Sequence, residues 1–352
     1  MLLRIQHETK LSYSEPVAET VFEVRTAPPS DEEQTNLGFH LRINPPAPVT
    51  LYRDGFGNRV DLFNILAPYR ELLIRATSIV RTHRDPNPAG RLQRPFDPSC
   101  EDYQGLETIE FLQSSPLVRP SSELEGFLAS VGRPEGRLVD VVERLSEHVR
   151  MALIYEKKVT TARTPVAESL RLGRGVCQDF AHLYLAACRG VGLPARYISG
   201  YVHQEGEVAT HAWCQVWSGP GGWVDVDPTR GVFADDDYIK IAVGRDYSDV
   251  PPNRGVWKGR ADETIAVSVK VEPIDRVPSD WSDWSTAQAP WSAASWIQSQ
   301  SRQPRPKLSA QVGCRQQQGQ QQQAGTAVRA SSSQARARGS CETPPAHGRP
   351  EA

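Results

Sequence analysis

The hydrophobic period of this chain changes twice, and that alternation restricts its fold more tightly than any single motif. From residue 1 to about 83, short runs rich in β-branched and aromatic residues follow one another: LRIQHETKLSY, TVFEVRTAP, FHLRINPP, VTLYRD, RVDLFNI and ELLIRATSIVRT. The turn-forming clusters PPS, NPPAP and DGFGN separate them. Alternation in the first run suits a strand with one buried face, and a small β-sandwich is the packing solution for such a set. At 137–156, RLVDVVERLSEHVRMALIYE places Leu138, Val141, Val142, Leu145, Val149 and Leu153 at helical spacing. Helices are also expected at PVAESLRL and after Cys177, before strand patterns return in ARYISGYV, THAWCQVW and GWVDVDPT. Strands, then helices, then strands again describe an α+β chain.

Between these blocks, residues 84 to about 135 are rich in proline and turn formers and read as a connector with one or two short helices, one near SSELEGFLAS. From about 279 the composition shifts: four of the eight tryptophans are followed by RQQQGQQQQAG and ASSSQARARG, with no acidic residue between Asp283 and Glu342. Such a Gln/Ser/Arg-biased tail is expected to be disordered. The expected division is therefore an N-terminal β domain at 1–83, a connector at 84–135, a catalytic domain at 136–278 and a tail at 279–352.

Bulk properties exclude several classes of function. The formal net charge of -2 supplies no global field for nucleic acid or an anionic membrane. No run of about 18 apolar residues is present, so no membrane span is expected. The first residues, MLLRIQHETKLSY, lack the basic start and apolar stretch of a secretion signal, which points to the reducing cytoplasm. The six cysteines (Cys100, Cys177, Cys188, Cys214, Cys314 and Cys341) form neither a disulfide framework nor a C-x-x-C zinc site. A free thiol in that setting can be a nucleophile.

One stretch, GRGVCQDFAHL at 173–183, places such a thiol at the mouth of a helix. Phe180, Leu183, Tyr184 and Ala187 follow helical spacing, and Gly190, Gly192 and Pro194 stop the helix. The helix dipole there favours a thiolate, and unpaired backbone N–H groups favour an oxyanion. Gly173 and Gly175 are expected to leave room for substrate backbone. A nucleophilic cysteine needs a base, and the base needs an orienting group. THAWCQVW and GWVDVDPT, joined by SGPGG, form a hairpin with His211, Trp213, Gln215 and Trp217 on one face and Trp223, Asp225 and Asp227 on the same face of the partner strand. If Trp217 pairs with Trp223, Gln215 faces Asp225, and Asp227 is a diagonal neighbour of His211 at about 7 Å. Asp225 then lies roughly 13 Å along the strand from the histidine's partner, too far to orient it. Cys177 is thus expected to attack a carbonyl carbon, with His211 as base and then acid, Asp227 as orienting carboxylate, and the Cys177 N–H as oxyanion donor.

GRGVCQDFAHL, THAWCQVW and GWVDVDPT together resemble the transglutaminase-like superfamily, in which a Cys-bearing helix start, an H-A-W strand and a D-P-T strand end carry the catalytic triad. YIKIAVGRDYSDVPPNRGVWKG and the N-terminal YRDGFGNRVDLFNI resemble segments of its bacterial and archaeal members, so the likeness spans roughly residues 1 to 275. It implies a papain-like core behind the N-terminal sandwich and gives Cys177, His211 and Asp227 the three roles. It implies a peptide or protein substrate attacked at a peptide or glutamine-type amide, giving a thioester resolved by water or an amine. From the residues themselves, with Cys214 alternating away from His211, no metal and no cofactor are expected. It leaves the substrate and oligomeric state open. The alternative is a protein-binding module that has kept the scaffold without catalysis. Among the other candidates, His182 reads as structural, His203 as solvated, Cys188 and Cys214 as small core residues, and Asp225 as an exposed strand acid. Asp235, Asp236 and Asp237 read as a solvated turn, since they lack the spaced ligands of a calcium loop. Asp179 reads as an acid complementing the helix dipole.

Overall fold

A computed structural model of the chain describes residues 1–204, 210–279, 281 and 312–315. Its elements are strands β1 (Leu2–Val24), β2 (Gln34–Asn44), β3 (Val49–Arg53), β4 (Arg59–Ile65) and β5 (Tyr69–Thr82), then α1 (Ser122–Val131) and α2 (Leu138–Ala152). They continue with β6 (Ile154–Tyr155), α3 (Val166–Leu172), β7 (Arg174–Gly175), α4 (Cys177–Gly190), β8 (Ala195–Val202), β9 (Thr210–Trp217) and β10 (Trp223–Asp227). The last are β11 (Val232–Phe233), β12 (Tyr238–Gly244), β13 (Asn253–Lys258), β14 (Glu263–Pro273) and β15 (Val312–Arg315). The tail expected to be disordered lies outside the described residues except for Ser279, Trp281 and β15. Trp281 lies against Gly38, where a Cβ would collide with its indole. Among the described residues no helix is long and apolar enough to cross a membrane.

The N-terminal unit is a β-sandwich built around one long strand. Leu3, Ile5, His7, Thr9, Leu11 and Tyr13 of β1 point inward with a period of two. This half of β1 pairs antiparallel with β5 and β14, and its second half pairs with β4 and β13. The register breaks between Ser12 and Val17 against β5 and between Ala18 and Val21 against β13, and Glu19 takes φ 47. Such a break bends a strand and re-aims its side chains, so β1 serves both layers. Leu11, Tyr13, Val17, Phe22, Phe63, Leu72 and Trp257 fill the space between them.

The chain's later strands return to this sandwich. β13 and β14, assigned from the sequence to the catalytic region, run antiparallel to β1. TIAVSVKV is buried only at alternate positions near its end, as befits a strand covering one edge of β1. β13 and β14 thus belong in space to the sandwich, although they follow the second sheet in the chain.

The second unit is an antiparallel sheet in the order β11-β10-β9-β8-β12, with α4 packed on it and buried from Cys177 to Cys188. A helix buried all round must be apolar nearly throughout, so Gln178, Asp179 and His182 stand out as its polar members. Of the helical positions read from 137–156, Leu138, Val141, Val142, Leu145 and Val149 are the buried face of α2, while Leu153 is its buried C-cap and the chain turns into β6 at Ile154. The outer strand of this sheet, β12, is covered by amides of the sandwich. Gln34 bonds both the N–H (2.9 Å) and the carbonyl (2.8 Å) of Lys240, and Asn58 does the same to Val243 at 2.8 Å each. Each amide stands in for a missing strand, satisfying an edge that would otherwise be open.

Candidate active site

The mouth of α4 is shaped by two glycines and a buried acid. Gly173 ends α3 in the left-handed region, φ 64, with its N–H on the carbonyls of Ser169 and Leu170. A Cβ on Gly175 would fall 2.5 Å from the Asp179 carboxylate. Gly173 therefore stops a helix and has open space where a Cβ would stand, while the room at Gly175 is taken by the Asp179 carboxylate and not by substrate. Asp179 accepts from the Val176 N–H (2.8 Å) and from the hydroxyls of Thr160 (2.6 Å) and Ser169 (2.5 Å). It ties the loop before α3, α3 itself and the start of α4 into one piece. Its place three residues after the N-cap is the capping-box position, a signal present in the sequence but not weighed there.

Cys177 opens α4, where backbone N–H groups have no carbonyl one turn earlier to bond. Its side chain is buried, 4% exposed, and hydrogen-bonded with His211. β9 presents that histidine and β10 its partner, in the register the loop count gives: Trp217 opposite Trp223 and Gln215 opposite Asp225. His211 Nε2 lies 2.7 Å from Asp227 Oδ2, which leaves Nδ1 for the sulfur. Asp227 is fully buried. The Tyr238 hydroxyl donates to Oδ2 at 2.8 Å, and the Thr229 and Arg230 N–H groups donate to Oδ1 at 2.8 and 3.2 Å. Pro228 ends the strand, and the next two amides turn back onto the carboxylate. The structure thus brings Cys177, His211 and Asp227 into one hydrogen-bonded row. It also adds Tyr238, which sequence reasoning missed because nothing in YIKIAVG distinguishes it from a core aromatic.

Electrostatics make this row an ion-pair site. Burial pushes the His211 pKa down, but hydrogen bonds to Asp227 and Cys177 outweigh it and raise the group to about 9. Burial likewise opposes the Asp227 charge, yet the hydrogen bonds from His211 and Tyr238 keep its pKa below the ordinary carboxylate value. Trp213 stacks on the imidazole (6.1 Å between centroids, 24°) and Tyr238 meets it edge-on at the same distance. The two rings fix the plane in which the imidazole lies.

The remaining candidates fall outside the row. Asp225 is buried, not exposed as expected: it accepts from Trp213 Nε1 (2.5 Å) and Gln215 Nε2 (2.7 Å) and pairs with Arg84 at 3.1 Å. Arg84 also pairs with Glu33 at 2.7 Å, so the acid is sealed where the sandwich, connector and sheet meet. His182 accepts from the Tyr247 N–H at 3.2 Å, and Cys188 and Cys214 are core residues. His203 bonds Asp237 at 3.0 Å. Asp236 accepts from the Arg84 N–H and pairs with the N-terminal ammonium, so the acidic run ties strands together and is not merely a solvated turn. Among the described residues Cys100, Cys177, Cys188 and Cys214 are free thiols, and no His/Cys/Asp/Glu group is arranged to hold a metal.

Comparison with known proteins carries the same pattern. Residues 127–228 match the transglutaminase-like superfamily core, and residues 3–81 match the bacterial transglutaminase-like N-terminal region. An uncharacterized protein of Mycobacterium leprae is 30% identical over 280 residues, covering 76% of this chain and 98% of that protein. The chain belongs to the transglutaminase-like superfamily. A second uncharacterized relative, from Mycobacterium tuberculosis, is 32% identical over 291 residues, covering 77% of this chain and 93% of its own. A crystal structure from Cytophaga hutchinsonii, presented as a candidate cysteine protease, has the same transglutaminase-like fold. Its TM-score is 0.64 at 23% identity, covering 79% of this chain and 93% of that one.

Proposed function

We propose that this transglutaminase-like protein is a cysteine-dependent acyl-transfer enzyme acting on peptide or glutamine side-chain amides. The observation that carries this reading is the imidazole held between a buried thiol and a buried carboxylate. The Cys177 thiol passes its proton to His211 Nδ1, and the sulfur attacks the amide carbon. Negative charge moves to the carbonyl oxygen, where the Cys177 N–H at the helix mouth meets it. The C–N bond then breaks as His211 returns the proton to the leaving amine, and a thioester remains on Cys177. Asp227 holds the ring and stabilises its cationic form at both proton transfers. Water or a second amine attacks the thioester by the reverse route and frees the sulfur. Water is the default acceptor, being present at far higher concentration than any amine. No cofactor enters any step, and a reducing cytoplasmic setting keeps the thiol available.

Iodoacetamide alkylation tests the reading. Cys177 should react faster than Cys100 at the same pH, although it is the more buried of the two, because His211 beside it can take the thiol proton. Reaction no faster than at Cys100 would leave a binding module on the same scaffold. Cys177→Ala should abolish acyl-enzyme formation while near-ultraviolet circular dichroism stays unchanged.

A further inference from the structure

The approach to Cys177 differs in character from the rest of the chain. Residues 150–174 hold six basic residues against two acidic ones, whereas the whole chain carries a net charge of -2. The two acids are already engaged, Glu156 with Arg174 at 2.8 Å and Glu168 with Arg171 at 3.7 Å. Arg150, Lys157 and Lys158 are exposed, and among the described residues they make no ion pair. Large apolar side chains stand open among them: Met151 is 73% exposed, Ile154 66%, Tyr155 47% and Val232 45%.

Several of these residues lie against the elements that carry the nucleophile and its partners, and this segment with Val232 is taken together as a rim. Ile154 and Tyr155 run parallel to Arg174 and Gly175, immediately before α4. The Tyr155 ring lies 6.3 Å from that of Phe180 on the first turn of α4, and the tyrosine feels the charges of both Cys177 and Arg230. Arg150, the chain neighbour of Met151, lies against Gly231, whose own neighbour Val232 pairs with Asp227. Lys157 and Lys158 lie just before Thr160, whose hydroxyl is fixed on Asp179. An exposed apolar patch of this kind marks a place where something docks.

We propose that this rim docks an acidic, apolar-bearing peptide segment of the protein substrate, a proposal that rests on Cys177 being the nucleophile. The cations select acidic side chains and steer them in, while the four apolar side chains take aliphatic or aromatic ones. A nucleic acid offers no partner for Met151, Ile154 and Val232. An anionic membrane would meet the net negative charge of the whole chain.

Fluorescence anisotropy on the full chain carrying Cys177→Ala tests the proposal with three labelled peptides, each with a central glutamine. One is flanked by Asp and Leu, one has Lys for each Asp, and one has Ser for each Leu. The Asp/Leu peptide should bind about tenfold or more tightly than the Lys/Leu peptide, with a preference that shrinks as salt rises. Lys157→Glu with Lys158→Glu should reverse that preference, and Met151→Ser with Ile154→Ser should erase the advantage over the Asp/Ser peptide. Equal binding of the Asp/Leu and Lys/Leu peptides overturns the proposal, as does a preference the lysine changes leave intact. Tighter, lysine-dependent binding of single-stranded DNA or of phosphatidylserine vesicles also overturns it. Alkylation of wild-type Cys177 is read separately, so failure of the nucleophile is distinguished from failure of the dock.

Discussion

Asp225 and Asp227 sit two residues apart on β10, both are buried, and each accepts from a ring nitrogen on β9. The resemblance stops there. Asp225 faces an indole, which cannot titrate, and its charge is met by Arg84. Burial works against its ionisation, but Arg84 and then Lys240 hold its pKa well below the usual range. Asp227 faces an imidazole, and its other direct donors are a neutral hydroxyl and two backbone amides. Arg230 pairs with Asp227 only at 3.8 Å from an exposed position, so the carboxylate's strongest compensating charge is one that His211 acquires on protonation. One hairpin register thus yields a fixed anchor at one position and a proton-holding pair at the next inward-facing position. What decides between them is whether a buried permanent cation sits directly on the carboxylate: buried Arg84 lies 3.1 Å from Asp225, whereas the exposed Arg230 stays 3.8 Å from Asp227.

The largest expected effect separates the two acids. Asp227→Asn keeps the shape but removes the charge that stabilises the imidazolium, and turnover should fall about 10³- to 10⁴-fold. The rate of Cys177 alkylation at mildly acidic pH should collapse with it. Asp225→Asn should leave alkylation within about tenfold of wild type. It should instead cost about 3 kcal/mol in urea unfolding, because it strips one partner from a buried ion pair. Equal loss of alkylation in the two variants would abolish the distinction.

A smaller effect sharpens it. Tyr238→Phe removes one of the hydrogen bonds on the Asp227 carboxylate, at a cost of about 1–2 kcal/mol for a bond to a charged group. The variant should alkylate more slowly than wild type and faster than Asp227→Asn. The pH dependence has a defined sign. With a folded pKa of about 9 against about 6.5 unfolded, His211 contributes stability in full below pH 6.5 and loses it as pH rises towards 9. Asp227, lowered in the fold, contributes above the unfolded carboxylate pKa and loses that contribution in acid. Urea midpoints across this range should therefore fall more steeply above pH 6.5 in wild type than in Asp227→Asn.

The contrast also explains what the sequence could reveal. The choice of Asp227 over Asp225 follows from a five-residue loop and a period of two, both local properties, so it is legible in the order of the residues alone. The helix start at Cys177 is legible for the same reason: two glycines, an apolar period and a stop signal lie within one short segment. The role of Asp225 is not legible, because Arg84 and Glu33 come from distant parts of the chain and only the closed fold brings them beneath β10. The return of β13 and β14 to the sandwich is hidden likewise, since TIAVSVKV states a strand but not its neighbour. Gly175 misled because a glycine before a helix reads equally as space for a substrate and as space for Asp179.

The smallest effect lies at the far end of the Asp225 cluster. Burial raises the Glu33 pKa to about 8, reinforced by the neighbouring Asp225 and opposed by Arg84 and Lys240. A carboxyl raised in the fold binds its proton more tightly there than in the unfolded chain. Stability from this group is therefore lost progressively as pH climbs from about 4.3 to 8. Glu33→Gln imitates the protonated form at every pH. Its unfolding free energy should be close to wild type near pH 5 and about 1–2 kcal/mol above it near pH 8. Taking the difference between the two proteins removes the His211 contribution, which both share. If the variant is instead less stable throughout, Glu33 is ionised in the fold. The anchor at Asp225 then holds two full negative charges against Arg84 and Lys240, and the two ends of the hairpin differ by more than their rings.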